Sequence, residues 1–146
     1  MTYRCASSPV ATRSQASISG GEVARILIAE DEEPVRVLVT RALVADTHSV
    51  VATADGAEAL DTLQREKGSF DLLLTDIKMP VMDGIALALA VARDYPNLPI
   101  VLMTGYADQR ERAAGLESLV VDVIAKPFAV AEIRFAVAAA LAKGKR

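Results

Sequence analysis

Side chains that could bind a metal ion or a phosphoryl group follow four of the aliphatic runs in this chain. Glu30 and Asp31 follow the first run, Asp76 the third, Thr104 the fourth and Lys126 the fifth. Crowded carboxylates repel one another, and a divalent cation or an ammonium group can offset that repulsion. Mg²⁺ prefers carboxylate and carbonyl oxygens together with waters and phosphoryl oxygens. A hydroxyl and an ammonium could hold the remaining phosphoryl oxygens, so the set suits phosphoryl transfer to a carboxylate, with Asp76 as nucleophile.

The order of strands and helices would bring these side chains to one edge of a sheet. Short aliphatic runs predict strands at 25–29, 49–54, 71–75, 99–103 and 120–125, and most of them are apolar at successive positions, which is typical of strands covered on both faces. Segments with helical spacing alternate with them at 33–45, 55–68, 83–96, 107–116 and 129–143. This alternation predicts an α/β fold, (βα)5, in which a parallel sheet lies between two helical layers. Ligands bind such sheets at the carboxyl ends of the strands, where these polar residues stand.

The bulk composition fits a single globular domain. The chain has 146 residues, of which 52% are hydrophobic and 24% charged, and its net charge is −3. It has no basic stripe for binding nucleic acid, and its longest apolar run, at 85–92, is too short to span a bilayer. One cysteine, Cys5, provides neither a disulfide framework nor a thiolate metal site. A reducing compartment, the cytoplasm, is therefore expected.

The first 24 residues differ from the rest of the chain. They are rich in Ser, Ala and Thr, show no strand or helix periodicity, and contain no apolar segment typical of a secretory signal. We therefore expect residues 1–24 to be a disordered extension, a cloning remnant or the result of a start site assigned too far upstream. The domain is expected over 25–143, with 144–146 as a tail.

Each polar residue also has an ordinary structural explanation. The acidic residues at 30–33 could favour a helix N-terminus, and Asp76 could be a turn former. Thr104 could be a routine strand exit and Lys126 a surface lysine at a turn. Their joint occurrence at the carboxyl ends of predicted strands favours the functional interpretation.

Four segments together resemble the receiver domain of two-component response regulators, the CheY-like family. They are "ILIAEDEEPVR", "LLLTDIKMPVMDG", "VLMTGYA" and "AKPF", in this order and spacing, and the resemblance covers about residues 25–143. It implies a flavodoxin-like three-layer sandwich with sheet order 2-1-3-4-5.

The resemblance also implies a role for each site residue. Asp76 matches the phospho-acceptor, and Thr104 and Lys126 match the groups that contact the phosphoryl oxygens. Mg²⁺, for which Mn²⁺ can substitute, would be bound by Glu30, Asp31, Asp76 and the backbone carbonyl of Lys78. The Lys126–Pro127 bond resembles one that is commonly cis in the family.

The chain departs from the family pattern at the switch that reports phosphorylation. Family members usually have an aromatic residue three positions before the lysine, and here that position is Val123. An aromatic instead follows the threonine at Tyr106, a pattern that resembles single-domain receivers, seen especially in alphaproteobacteria, that include the CpdR-like regulators. We hypothesise that Tyr106 takes over part of the switching or gates Asp76; alternatively, it is a surface loop aromatic. The resemblance implies that Lys78 and Tyr106 affect the lifetime of the phosphoryl group.

The implied function is signalling and not conventional enzymology. The chain would catalyse only its own phosphotransfer, from a histidine kinase or phosphotransferase, and its own dephosphorylation. Because one helix follows Lys126, we expect a single-domain regulator that acts through protein contacts, without nucleic acid or membrane partners. A proteolysis adaptor and a pseudo-receiver that never accepts phosphate stay open as alternatives. A haloacid-dehalogenase-type phosphatase is disfavoured, since Lys78 stands where that class needs a second aspartate.

Two helices offer candidate partner surfaces. The first helix is predicted to bury a stripe and to leave Val37 and Val44 exposed to a kinase or phosphotransferase; the stripe comprises Val35, Leu38, Val39, Ala42 and Leu43. The last helix is apolar nearly all round, which suggests a partner or homodimer surface made by the fourth predicted helix, the fifth strand and the fifth helix. Alternatively, alanine, the best helix former, simply fills a surface helix there.

Overall fold

A computed structural model describes residues Thr2–Tyr3, 23–105 and 115–144 of the chain. Its central sheet contains the parallel strands β1 (Arg25–Ala29), β2 (Ser49–Thr53), β3 (Leu72–Asp76), β4 (Ile100–Thr104) and β5 (Asp122–Ala125). Their order is β2-β1-β3-β4-β5, which confirms the predicted topology. The described helices are α1 (Glu33–Ala45), α2 (Gly56–Arg65), α3 (Gly84–Asp94) and α4 (Val130–Gly144).

Two apolar clusters hold helices on opposite faces of the sheet. Successive strand residues point to opposite faces, so strands that are apolar at every position supply both clusters. One cluster joins the sheet to α2 and α3 and includes Leu27, Leu73, Leu63 and Leu87. The other joins it to α1 and α4 and includes Ile26, Leu74, Leu43 and Ile133. The result is the predicted three-layer α/β sandwich.

The predicted element boundaries hold to within a few residues along most of the chain. Helix α1 spans the predicted residues, and β3 ends one residue later than predicted, at Asp76. Asp76 is thus the last residue of the strand. Most of the helix predicted at 107–116 lies outside the described residues, and residues 115–119 form a turn.

Strand β5 is an exception to the expectation that most strands are covered on both faces. Of its four residues only Ile124 is buried, and Val123 is 38% exposed. The strand lies at the edge of the sheet and pairs only with β4 among the described residues. A run of aliphatic residues therefore does not distinguish an edge strand from a central one.

Part of the amino-terminal segment belongs to the fold, contrary to expectation. Thr2–Tyr3 forms a short strand antiparallel to β2, in which Thr2 pairs with Val51 and Tyr3 with Val50. Ala24 is also buried, and its N–H donates to Nδ1 of His48. Residues 4–22 lie outside the described residues, so the proposed amino-terminal domain boundary stays a prediction.

The exposed apolar residues of α1 and α4 differ in part from those predicted. In α1, Val39 and Leu43 are buried as expected, but Leu38 is 44% exposed because it lies at the rim of the stripe and not over the sheet. In α4, Ile133 and Val137 face the core and Phe135 is 77% exposed.

Within the described ranges, no helix is long and apolar enough to cross a bilayer.

Candidate functional site

Asp76 is a buried carboxylate at the carboxyl end of the central strand β3. The residue is 4% exposed. Its Oδ1 accepts a hydrogen bond from the N–H of Ile77 at 2.9 Å, and its Oδ2 lies 3.1 Å from Nζ of Lys126. Burial disfavours the charged form and raises the pKa of Asp76, against the attraction of Lys126 and the hydrogen bonds that it receives. The carboxylate is therefore held in place by a neighbouring cation in a poorly solvated position.

Glu30 stands beside Asp76 at the end of β1 and is fully buried. Its Oε1 accepts a hydrogen bond from Nζ of Lys126 at 2.9 Å, and its Oε2 accepts one from the N–H of Glu32 at 3.0 Å. Burial raises the pKa of Glu30 to about 7, the charge of Asp76 adds to the rise, and the Glu32 N–H and Lys126 oppose it. Glu30 thus lies next to the candidate nucleophile, held by Lys126 and by the N–H of Glu32.

Lys126 joins these carboxylates from the end of β5. Its Nζ contacts Glu30 and Asp76, and it lies 3.7 Å from Oε1 of the exposed Glu32. Burial alone would lower its pKa, but the hydrogen bond to Glu30 and the charges of Asp76 and Glu30 outweigh burial and raise the pKa above its ordinary value. The ammonium therefore stays charged at the centre of the acidic group.

The acidic group has the composition and spacing of a divalent cation site. One carboxylate oxygen each from Glu30, Asp31 and Asp76 lie within 4.8 Å of one another. Asp31 is exposed, so it can turn towards a cation at the surface. Hard oxygen donors at this spacing fit Mg²⁺, which keeps part of its water shell. Lys78 lines the same cleft as Asp31 and Asp76, and its carbonyl is the fourth predicted ligand.

Thr104 brings a buried hydroxyl to the same edge, at the end of β4. The residue is fully buried, and among the described residues its Oγ1 has no hydrogen-bond partner. Its carbonyl accepts a hydrogen bond from the N–H of Lys126 at 2.7 Å, which ties the ends of β4 and β5 together. A buried hydroxyl without a partner is unfavourable, and a phosphoryl oxygen could satisfy it. The Lys126–Pro127 peptide bond is cis, as the resemblance implied.

The proposed switch positions are described only in part. Val123 lies on the exposed edge strand, where its aliphatic side chain has no ring to reorient. Lys78 is exposed beside the acidic group. Tyr106 lies outside the described residues, so its predicted role stays a prediction.

A cleft of about 670 Å³ opens from the acidic group. Its apolar wall consists of Val35, Leu38, Pro127 and Phe128. The sequence predicted that helix α1 exposes Val37 and Val44 to a kinase or phosphotransferase. This prediction of exposure was wrong, since both side chains are half-buried and Val44 packs against the core. Helical periodicity alone placed Leu38 in the core, because it does not show how far round the helix the sheet extends.

Sequence interpretation also missed Arg36, whose side chain contacts the loop between β1 and α1. Its Nη1 donates hydrogen bonds to the carbonyls of Glu30 at 2.8 Å and Asp31 at 3.5 Å. Helical side chains point back towards the N-terminus. The position of an arginine in the first turn, after an acidic loop, was the available signal.

Comparison with known proteins agrees with this geometry. The family model for the response regulator receiver domain matches residues 26–138. Response regulator MprA of Mycobacterium avium is 35% identical over 109 residues, which cover 75% of this chain and 47% of that protein. The chain thus spans about half the length of the curated relatives that it matches.

Solved structures show the same similarity in three dimensions. The receiver domain of AraT, a response regulator from Geobacillus stearothermophilus, is 33% identical, with a TM-score of 0.73 and coverage of 83% of this chain and 95% of that one. A putative response regulator from Chloroflexus aurantiacus is 30% identical, with a TM-score of 0.74 and coverage of 83% and 99%. With the family match and a carboxylate at the end of β3, these similarities show that the chain belongs to the response regulator receiver domain family.

Proposed function

We propose that Asp76 accepts a phosphoryl group from a phosphohistidine on a sensor kinase or histidine phosphotransferase. The observation that supports this most directly is the set of partners around Asp76. A buried carboxylate has an ammonium 3.1 Å away, a cation-binding acidic group beside it, and a buried hydroxyl on the neighbouring strand without a partner among the described residues. These are the donors and ligands that a phosphoryl group on Asp76 would need.

The transfer forms one bond and breaks one. An Oδ of Asp76 attacks phosphorus, the P–O bond forms, and the P–N bond of phosphohistidine breaks, with its electron pair going to the imidazole nitrogen. Glu30, Asp31, Asp76 and the Lys78 carbonyl would hold Mg²⁺, or Mn²⁺ in its place. Such a cation, when bound, neutralises charge on the phosphoryl oxygens. Lys126 and Thr104 would hold other phosphoryl oxygens, so the reacting groups are positioned by residues already at this edge.

Phosphorylation would change the partners of Lys126 and Thr104. Lys126 now shares its ammonium between Glu30 and Asp76. A phosphoryl group adds charge and three acceptor oxygens, which favour a new position for both donors. Since Val123 cannot reorient a ring, we propose that Thr104 transmits the change to the segment that follows β4, with Tyr106 as a candidate participant. Hydrolysis of the acyl phosphate by the domain itself would end the signal, at a rate influenced by Lys78 and Tyr106.

Two exposed surfaces support the proposed protein partners. The apolar wall of the cleft, which includes Leu38 and Phe128, lies beside Asp76 and could bind the helices that present the phosphohistidine. Leu119, Val123 and Phe135 are exposed on or near β5 and α4 and could contact a downstream protein or a second copy of the chain. We propose that the phosphorylated domain acts through such contacts. We place it in the cytoplasm, a reducing compartment, because a chain with one cysteine has no disulfide framework. A proteolysis adaptor would use the same phosphorylation step.

Acetyl phosphate with Mg²⁺ tests the proposal directly. Intact-mass measurement should show one Mg²⁺-dependent phosphoryl adduct on the wild-type protein and none on Asp76→Asn. Beryllofluoride with Mg²⁺ should perturb the NMR signals of Thr104 and Lys126 in the wild type only. If the wild-type protein forms no adduct under these conditions, the chain is a pseudo-receiver and the proposed phosphotransfer is wrong.

A further inference from the structure

We infer that Arg36 is a positioning residue that holds the loop of Glu30, Asp31 and Glu32 in the shape that binds the divalent cation. This inference rests on the proposed function, because it concerns the cation that phosphoryl transfer to Asp76 would require. Arg36 itself would not touch the cation or the phosphoryl group.

Arg36 donates hydrogen bonds to three successive carbonyl groups of this loop. Its guanidinium Nη1 donates to the carbonyls of Glu30 at 2.8 Å and Asp31 at 3.5 Å. Its backbone N–H donates to the carbonyl of Glu32 at 2.9 Å, as the first helical hydrogen bond of α1. One residue therefore fixes the direction of three consecutive peptide groups, two of which belong to predicted cation ligands.

The start of helix α1 lacks the side-chain cap that usually orders such a junction. Glu32 is at the N-cap position, but its side chain makes no capping hydrogen bond. By contrast, the Asp55 and Asp83 side chains cap α2 and α3 by accepting hydrogen bonds from the N–H groups of Glu58 and Ala86. At α1 the guanidinium of Arg36 instead links the helix to the loop, because it donates hydrogen bonds to carbonyl groups that precede the helix.

The choice of carbonyl acceptors leaves the carboxylates available. The guanidinium contacts the backbone oxygens of Glu30 and Asp31, so their side-chain oxygens can face Lys126, Asp76 and a cation. Groups behind metal ligands typically change metal affinity by about 10–100-fold when removed. The positive charge of Arg36 has the opposite effect, since it repels a nearby cation. An alanine variant measures the balance of the two effects, because loss of positioning weakens cation binding and loss of charge strengthens it.

The test is a Mg²⁺ titration of the full chain, monitored by two-dimensional NMR of the backbone amides. Arg36→Ala should raise the Kd for Mg²⁺ about tenfold or more. Arg36→Lys keeps the charge but replaces the planar fork with one ammonium, so its Kd should rise above that of the wild type. Arg41→Ala is the matched control: it removes the same charge from an exposed position on the same helix and should leave Kd within about twofold.

A second measurement separates positioning from general damage to the fold. The rate of phosphorylation by acetyl phosphate should fall in Arg36→Ala at low Mg²⁺ and return close to the wild-type rate at saturating Mg²⁺. An unchanged or lower Kd in Arg36→Ala, or a wild-type Kd in Arg36→Lys, overturns the inference; the Lys variant decides the question if the Ala variant does not fold. If the wild-type protein shows no Mg²⁺-dependent change at all, the proposed function fails as well.

Discussion

Lys126 and the carboxylates of Glu30 and Asp76 form a buried group in which one ammonium faces two carboxylates. The two carboxylates are nearly or fully inaccessible to solvent, and the one ammonium contacts both. Removal of Lys126 would leave both carboxylates without their cation, and an uncompensated buried charge commonly costs about 3–5 kcal/mol. A phosphoryl group on Asp76 would alter the same balance, so the response to phosphorylation begins with these three side chains.

Glu30→Gln should change how stability depends on pH. The folded-state pKa of Glu30 is about 7, above the ordinary value of 4.5, so the folded protein holds this proton more tightly than the unfolded chain. Its contribution to stability is complete below pH 4.5 and is lost as the pH rises through 7. The free energy of unfolding of the wild type should fall with a slope of up to about 1.4 kcal/mol per pH unit from this group. Urea denaturation of both proteins from pH 4 to 8 should show that Glu30→Gln lacks this component; parallel pH profiles would contradict it.

Val81→Gly should stabilise the domain. Val81 has a φ of +68°, which is unfavourable for a β-branched residue. It is the central residue of a turn in which the N–H of Met82 donates a hydrogen bond to the carbonyl of Pro80. Its side chain is 84% exposed, so little packing would be lost. Glycine relieves the backbone strain in the folded state, and this effect outweighs the entropy that glycine adds to the unfolded chain. We therefore expect the free energy of unfolding, measured by chemical denaturation, to increase by about 0.5–1 kcal/mol. Val81→Ala keeps the Cβ and should gain less; a less stable glycine variant would show that the turn is not strained.

At the scale of elements, the junction between β3 and α3 positions Asp76. The Asp83 side chain caps α3, and the N–H of Gly84 donates to the carbonyl of Ile77 at 2.7 Å. These bonds place the start of the helix directly against the end of the strand. An Asp-Gly pair at a helix start could be explained by capping alone, but here the glycine also has a packing role.

Gly84→Ala should destabilise the domain and displace Asp76. A Cβ at residue 84 would lie 1.9 Å from the carbonyl oxygen of Asp76, a contact that neither backbone segment can avoid without moving. Overpacking of this kind typically costs about 1–3 kcal/mol, and the contact with main-chain atoms places this variant at the upper end. Gly115→Ala is the matched control, since no atom lies within 4 Å of its added Cβ. Thermal denaturation compares them; equal midpoints for the two variants would contradict the close approach.

At the scale of the whole molecule, the two ends of the sheet have different roles. The carboxyl ends hold the charged site, and the amino ends hold a cluster around Arg25. Its guanidinium donates to the carbonyl of Ser69 at 2.6 Å, pairs with Glu66 and lies 4.3 Å from the centre of the Phe70 ring. The cluster ties β1 to the segment before β3, so these strands are anchored at the end away from the site.

The buried His48 should make the stability of the domain sensitive to acid. Its Nδ1 accepts the Ala24 N–H at 3.1 Å, which requires an unprotonated nitrogen. Burial lowers the His48 pKa from its ordinary value of 6.5, against the charges of Asp46 and Asp71. This contribution to stability is therefore present above pH 6.5 and lost as the pH falls through the lower folded-state pKa.

His48→Asn tests this expectation, since the Asn Oδ1 can accept the same hydrogen bond without titrating. The variant should lose less stability than the wild type when the pH is lowered from 7 to 5 in urea denaturation. Because Glu30 has the opposite pH dependence, the comparison is best made in a Glu30→Gln background. An identical acid response with and without His48 would show that its protonation does not limit stability.

The sequence by itself determined the α/β class with its parallel sheet, and it proposed most of the candidate site. Aliphatic runs alternating with helical spacing predict a parallel sheet, because apolar strands need cover on both faces, and strand ends locate Asp76, Glu30, Thr104 and Lys126. These features are local or follow from chain order. The resemblance to receiver domains then supplied individual roles that spacing alone left open.

Only the tertiary structure decided which neighbours each side chain has. It placed Leu38 on a cleft wall, paired Thr2–Tyr3 with an edge strand, buried Glu30 enough to raise its pKa, and turned Arg36 onto the acidic loop. Burial, pKa and hydrogen bonding depend on atoms contributed by distant parts of the chain, and sequence periodicity contains no information about their distances. The sequence therefore proposed the residues of the candidate site, and the packing of the elements determined their physical state.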